Sequence, residues 1–243
     1  MLKATALCCE RNQQKLFSNL TFEIAAGTLL LISGENGVGK TTLLRIIAGL
    51  GEATAGSLWK SDMHPLYIGH KIALHPALTP IENLHEFVKT AAIPYTAADI
   101  KFALKDLGLS LLANTPCSLM SKGQQQRVAL ARLWLHPGKL WILDEPFTAL
   151  DEKGRENLLH RFTEHVQQGG SIVVASHQRF ELSGFSYVFE INLQPSPAPA
   201  GYPLPQAGEG NKKSNSTTAA NFPSPACGRG WCEAPGEGED KST

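Results

Sequence analysis

Apolar residues fall along this chain in short runs whose spacing is strand-like, then helical, then strand-like again. Near the N-terminus, apolar-rich segments around 3–9, 20–24 and 28–33 predict three β-strands. The third, Thr28-Leu29-Leu30-Leu31-Ile32-Ser33, runs into a glycine-rich loop. Leu43-Leu44-Arg45-Ile46-Ile47-Ala48 follows as a helix that Gly49-Leu50-Gly51 stops. From Thr79-Pro80 to about 135 the pattern is helical. Pro80 stands where a first-turn proline belongs, Leu84, Phe87 and Val88 recur at helical spacing, a second helix covers 97–107, and a third begins at Ser121. Strands resume at 139–143 and 171–175, separated by a helical stretch at 151–168, which predicts a β-α-β unit with buried parallel strands. A last strand is predicted at 187–191. The pattern is that of an α/β protein with a mainly parallel core sheet and an inserted helical subdomain at about 79–135.

Composition changes this picture only at the end. Residues 194–243 are dominated by Pro, Gly, Ser and Ala, with too few large apolar side chains to offset the entropy of ordering. The expected organisation is one domain over 1–192 and a disordered tail over 193–243. A chain of 243 residues can bury a core without disulfides or a metal. The 22 basic and 22 acidic residues cancel, so no global field argues for nucleic acid or an anionic membrane. The cysteines number 5 and show no metal-ligand spacing, which reads as structural thiols in a reducing cytoplasm. No secretory leader opens the chain, and no apolar run approaches the ~18–20 residues needed to span a bilayer, so a membrane part would come from another subunit.

Candidate chemistry begins in the glycine loop. Gly34-Glu35-Asn36-Gly37-Val38-Gly39-Lys40-Thr41-Thr42 stands between strand and helix as a complete G-x-x-x-x-G-K-T phosphate-binding loop. Its glycines let backbone N–H groups curl around the β- and γ-phosphates of a nucleoside triphosphate, and the helix start adds the positive end of its dipole. Lys40 is expected to reach the β/γ oxygens and the Thr41 hydroxyl to ligate Mg²⁺. A flexible turn would not explain Lys40-Thr41. Downstream, Leu140-Trp141-Ile142-Leu143-Asp144-Glu145-Pro146 is an apolar strand ending in two carboxylates. Asp144 is read as holding Mg²⁺ through water, and Glu145 as the group that polarises the attacking water.

Met120-Ser121-Lys122-Gly123-Gln124-Gln125-Gln126-Arg127-Val128-Ala129-Leu130-Ala131-Arg132 resembles the L-S-G-G-Q signature of ATP-binding cassette (ABC) proteins and its helix, with Met120 for Leu and Lys122 for the first Gly. The resemblance implies a P-loop NTPase of ABC type, with N-terminal antiparallel β-strands, a mainly parallel core sheet and the helical subdomain. It also implies that a second ABC ATPase domain, as a homodimer, presents its own Ser121, Gly123 and Gln124 to the γ-phosphate of ATP held at Lys40. Lys122 either helps bind that phosphate or points to solvent. Thr148-Ala149-Leu150-Asp151 resembles the D-loop, and His177, just past the strand ending at Ala175, resembles the switch histidine at the γ-phosphate. His70 stands where the family places its Q-loop glutamine. No aromatic residue occurs around Arg11-Asn12, where the family stacks one on adenine; the Arg11 guanidinium plane is a candidate substitute, which implies weak base selectivity.

Further runs resemble the ATP-binding export proteins of cytochrome c biogenesis: Leu16-Phe17-Ser18-Asn19-Leu20, Tyr67-Ile68-Gly69-His70-Lys71, Leu78-Thr79-Pro80-Ile81-Glu82-Asn83-Leu84 and Ser176-His177-Gln178. That likeness covers 1 to about 192. It implies an ATPase, with ATP and Mg²⁺, that sits peripherally on the cytoplasmic face of the bacterial inner membrane with integral permease subunits of a cytochrome c maturation complex. It would power haem export or release of a haem-loaded chaperone, without nucleic acid. An ABC ATPase for another substrate is the alternative. A soluble ABC ATPase of translation or repair would need tandem cassettes or a long heptad insert, and neither occurs.

Overall fold

The computed structural model describes residues 1–61, 65–148, 150–177, 185 and 188–193. Ala149, Gln178, Tyr187 and the predicted tail from 194 lie outside them. In chain order the elements are β1 (Leu2–Arg11), β2 (Gln14–Ile24), β3 (Leu29–Gly34), α1 (Lys40–Ala48), β4 (Ala55–Lys60), β5 (Leu66–Ile68), α2 (Pro80–Thr90), α3 (Ala97–Asp106), α4 (Lys122–Leu130), α5 (Arg132–Leu135), β6 (Leu140–Asp144), α6 (Glu152–Gln167), β7 (Ser171–Ala175) and β8 (Val188–Leu193).

Two sheets result. β2-β1-β4 is antiparallel, and β5-β6-β7-β3-β8 is parallel throughout. The first two strands are longer than the sequence pattern predicts. Asn12 and Gln13 take left-handed φ values of 51° and 61°, so the chain reverses in a two-residue turn that pairs Arg11 with Gln14. The start of β2 escapes sequence reading because Gln14, Lys15, Ser18 and Asn19 are exposed and leave only Leu16 and Phe17 as apolar signal. β4, which the pattern does not predict, is a mostly exposed edge strand with no alternation to read.

The parallel strands are near-continuous apolar runs because both faces of the sheet are covered. Every residue of β6 and β7 is buried. The period of two divides β3 between two cores: Leu29 and Leu31 pack with Trp141, Leu143, Phe162 and the helical subdomain, whereas Leu30 and Ile32 pack with Ile142, Val173 and Leu43, Leu44 and Ile47 of α1. Register aligns the strand ends, with Ala175 opposite both Ile32 and Asp144. The loops after β3, β6 and β7 therefore leave the sheet at one edge, where ligands of open α/β sheets bind.

The helical subdomain is held by local capping and one buried amide. Thr79 and Glu82 form a capping box at the start of α2 with Pro80 in its first turn, and Thr96 and Asp99 do the same for α3. The buried Asn83 accepts from His75 N–H at 2.7 Å and donates to the His75, Leu78 and Thr79 carbonyls at 3.1–3.2 Å, tying the connection after β5 onto α2.

Behind the sheet, His165 of α6 stacks on Trp141 with ring centroids 3.6 Å apart and planes 9° from parallel. Burial, aided by the Arg161 charge, lowers its pKa from 6.5 to about 4. Above about pH 6.5 the imidazole is neutral in folded and unfolded chains. As pH falls below that, the unfolded chain takes a proton that the fold refuses, so stability drops until about pH 4, by roughly 3 kcal/mol for this residue. His165→Phe keeps an aromatic ring against Trp141 and removes the titration. Denaturant unfolding between pH 7 and pH 4 is expected to show a shallower loss in the variant than in the wild type. Parallel profiles would mean that His165 is protonated within the fold.

Candidate functional site

β3 ends in a loop whose glycines answer particular geometric demands. Gly34 has a φ of 141°, and a Cβ there would lie 2.5 Å from the Leu193 carbonyl oxygen. Gly39 has a φ of 110° and lets Leu16 of β2 approach to 3.1 Å of the position a Cβ would take. Gly39 is also the N-cap of α1 and offers no side chain to cap the first N–H groups of that helix. Lys40 folds back over the loop: its Nζ donates to the Gly34 and Glu35 carbonyls at 2.7 and 3.0 Å and lies 3.9 Å from Glu145 Oε1.

Thr41 and Asp144, read from sequence as the metal-holding pair, meet directly. The Thr41 hydroxyl donates to Asp144 Oδ2 at 2.7 Å, which leaves its lone pairs to face an ion. Asp144 is only 3% exposed. Burial raises its carboxyl above the usual carboxylate range, and the Glu145 charge adds to this; the Thr41 hydroxyl bond and His70, through its backbone N–H and ring, act in the opposite sense. A buried carboxylate beside a second carboxylate and a hydroxyl is a hard oxygen donor set, which fits Mg²⁺.

Glu145 occupies a left-handed conformation, with φ at 52°, uncommon for a residue with a side chain. The peptide is pinned by its N–H donating to the Ala175 carbonyl at 2.9 Å and its own carbonyl accepting from Thr148 Oγ1 at 2.9 Å. The carboxylate is pinned by His177, whose backbone N–H reaches Oε1 at 3.0 Å and whose Nδ1 lies 2.9 Å from Oε2. The arrangement can hold a carboxylate in one orientation over a bound phosphate chain, which is what water polarisation requires.

Asn36, Gly37, Gly39, Lys40, Thr41, Thr42, His70, Asp144, Glu145 and His177 line one cleft of about 550 Å³. Gly34 and Glu35 face Lys40 with their carbonyls, and Val38 is buried in the core beneath. Ser121, Gly123 and Gln124 do not line the cleft. They start α4, where Ser121 Oγ accepts from Gln124 N–H at 3.2 Å and Gln124 Oε1 accepts from Ser121 N–H at 2.9 Å. Ser121 and Lys122 are exposed there. Two lining residues, Leu16 and Thr148, are not among the site residues that the sequence picks out. Thr148 sits in the D-loop-like run, which is a usable signal; Leu16 reaches the cleft only through the strand pairing of β2.

The family model for ABC transporters matches residues 17–148. The cytochrome c biogenesis ATP-binding export proteins CcmA of Shigella flexneri and of Escherichia coli (strain K12) are each 43% identical over 189 residues, covering 73% of this chain and 89% of those proteins. Among solved structures, the dimeric post-hydrolysis state of an ATP-binding cassette bound to ADP and Pi superposes with a TM-score of 0.67 at 22% identity, over 79% of this chain and 96% of that one, which is a likeness of fold. On the phosphate loop, the paired carboxylates and these matches together, the chain belongs to the ABC transporter family and is an ATPase of that family.

Proposed function

We propose that this chain is the ATP-hydrolysing subunit of a complex for cytochrome c maturation, powering haem export or release of a haem-loaded chaperone. The observation that carries hydrolysis is the meeting of Lys40, Thr41, Asp144, Glu145 and His177 where β3, β6 and β7 end. The 43% identity to proteins named for cytochrome c biogenesis supports the pathway. In this reading the loop amides and Lys40 bind the β- and γ-phosphates of ATP, and Thr41 and Asp144 hold Mg²⁺. Bound there, Mg²⁺ would neutralise charge on the phosphate oxygens. Glu145 takes up proton density from the attacking water, while His177 holds that carboxylate and faces the γ-phosphate. His70, beside Asp144, reports the state of the site to the connection running into α2.

The exposed start of α4 supports pairing of two copies, in which Ser121, Gly123 and Gln124 of one close over the nucleotide of the other. A groove of about 1010 Å³ between the connection at Ala73–Leu78 and α2 is the surface we assign to the permease subunits. Arg132 braces it, donating to the Ala73 carbonyl and lying 5.1 Å over the Phe87 ring. Among the described residues no helix is long and apolar enough to cross a membrane, which suits a peripheral subunit on the cytoplasmic face.

The test is genetic. Deleting the gene is expected to abolish holo-cytochrome c and leave b-type cytochromes intact, because only c-type cytochromes need haem attached covalently outside the cytoplasm. Lys40→Ala is expected to reproduce the defect. Normal c-type cytochromes in both strains would remove the haem assignment and leave the ABC ATPase.

A further inference from the structure

α3 turns one face outward from the helical subdomain. Its Ile100, Ala103 and Leu104 are buried in the core, whereas Ala98, Asp99, Lys101, Phe102 and Lys105 are exposed. At about 100° per residue, Ala98 and Phe102 run along the middle of the outward face and Lys105 continues the line. Lys101 stands on one flank of that line, Asp99 and Asp106 on the other. Phe102 keeps 61% of its surface in solvent and, with Asp106, lines the two clefts of about 420 and 340 Å³ beside α3. A single open ring is ordinary on a protein surface; the charges beside this one give it a direction. Asp99 is committed to its own helix, its Oδ2 accepting from the Thr96 N–H and hydroxyl. Asp106 is half-buried, and Asn157 donates to its backbone carbonyl rather than to its carboxylate. Among the described residues neither Lys101 nor Asp106 has an opposite charge in reach.

We propose that α3 is a self-association surface, on which a second copy of this chain packs its own α3 parallel to the first, about a twofold axis along the helices. Lys101 and Asp106 are five residues apart, which is too far round the helix for them to pair with each other. Five is the offset at which the flanks of two parallel helices meet. With Phe102 at an a position, Ala98 and Lys105 take d positions, Lys101 takes g and Asp106 the following e. Phe102 then meets Phe102 of the other copy, and Lys101 of each copy pairs with Asp106 of the other. The twofold axis makes that ion pair twice. Antiparallel packing would set Lys101 against Lys101 instead, so charge selects the parallel arrangement. α3 lines neither the nucleotide cleft nor the groove at α2, so the pairing needs no nucleotide and leaves both open. A helix of 10 residues makes a small interface, of the transient class.

Sedimentation velocity of the nucleotide-free full chain, from about 5 to 500 µM, reads the pairing, with an expected Kd of about 50–200 µM. Asp106→Lys and Lys101→Asp each oppose like charges at both symmetric contacts and are expected to weaken it by at least ~10-fold. The double variant, Lys101→Asp with Asp106→Lys, exchanges the charges and restores the wild-type Kd to within about threefold, which damage to α3 could not do. On oxidation with copper phenanthroline, a mixture of Lys101→Cys and Asp106→Cys chains is expected to form more interchain disulfide than the wild type does, and Lys101→Cys alone is not. The reverse ranking overturns the parallel arrangement. A wild type that stays monomeric across the whole range overturns the proposal, as does a dimer whose Kd ignores both charge reversals.

Discussion

Glu145→Gln is expected to lower ATP turnover by at least ~10²-fold while ATP affinity stays equal to that of the wild type or tightens. The substitution keeps shape and position. Glutamine retains an oxygen that accepts from His177 N–H, now 3.0 Å from Oε1, and the backbone anchors to Ala175 and Thr148 are untouched. What disappears is the negative charge and with it the capacity to take proton density from water. Binding behaves differently because the phosphate contacts are assigned, in the proposed function, to the loop and Lys40. Lys40 Nζ lies 3.9 Å from Glu145 Oε1, so removing that carboxylate charge leaves more of the lysine's field for an anionic nucleotide. Phosphate-release kinetics and nucleotide titration separate the two effects, and gel filtration with ATP and Mg²⁺ shows whether the loaded variant accumulates as a dimer. Near-wild-type turnover would remove Glu145 from the hydrolytic role.

The cleft's two main walls are legible in the amino-acid sequence because the information in them is local. A phosphate loop is set by glycines, a lysine and a hydroxyl within nine consecutive positions, and an apolar strand ending in Asp144-Glu145 announces its own direction. The parallel strands declare themselves through unbroken apolar runs, since burial on both faces leaves no room for polar alternation. The illegible parts depend on partners distant in sequence. Half-exposed strands such as β4 and the start of β2 carry little apolar signal. Leu16 becomes a cleft residue only because the hairpin lies against Gly39. The hold of His177 on Glu145 arises from the register that sets Ala175 beside Asp144, which no spacing rule contains. Ser121 is legible as a helix cap, and one copy of the chain leaves it exposed, away from the cleft it is proposed to serve in a second copy.

Gly34→Ala tests the least local of these contacts. Gly34 is the last residue of β3, it pairs with Leu193 of β8, and its φ of 141° is one that side-chain-bearing residues rarely adopt. An added Cβ would sit 2.5 Å from the Leu193 carbonyl oxygen and 3.0 Å from Val38 Cγ1, so either β8 moves off the sheet edge or the loop above α1 changes course. The expected result is a stability loss of about 3–5 kcal/mol in denaturant unfolding. A fall in nucleotide affinity of at least ~10-fold is expected to accompany it, because the amides proposed to curl around phosphate move with Gly34. Gly37→Ala supplies the comparison. Its φ of 84° brings similar backbone strain, but no atom lies within 4 Å of the new Cβ, so only about 1–2 kcal/mol is expected. The difference between the variants isolates the contact with Leu193. Equal stability in the two would mean that β8 does not close against the phosphate loop, and that the folded core stops short of Leu193.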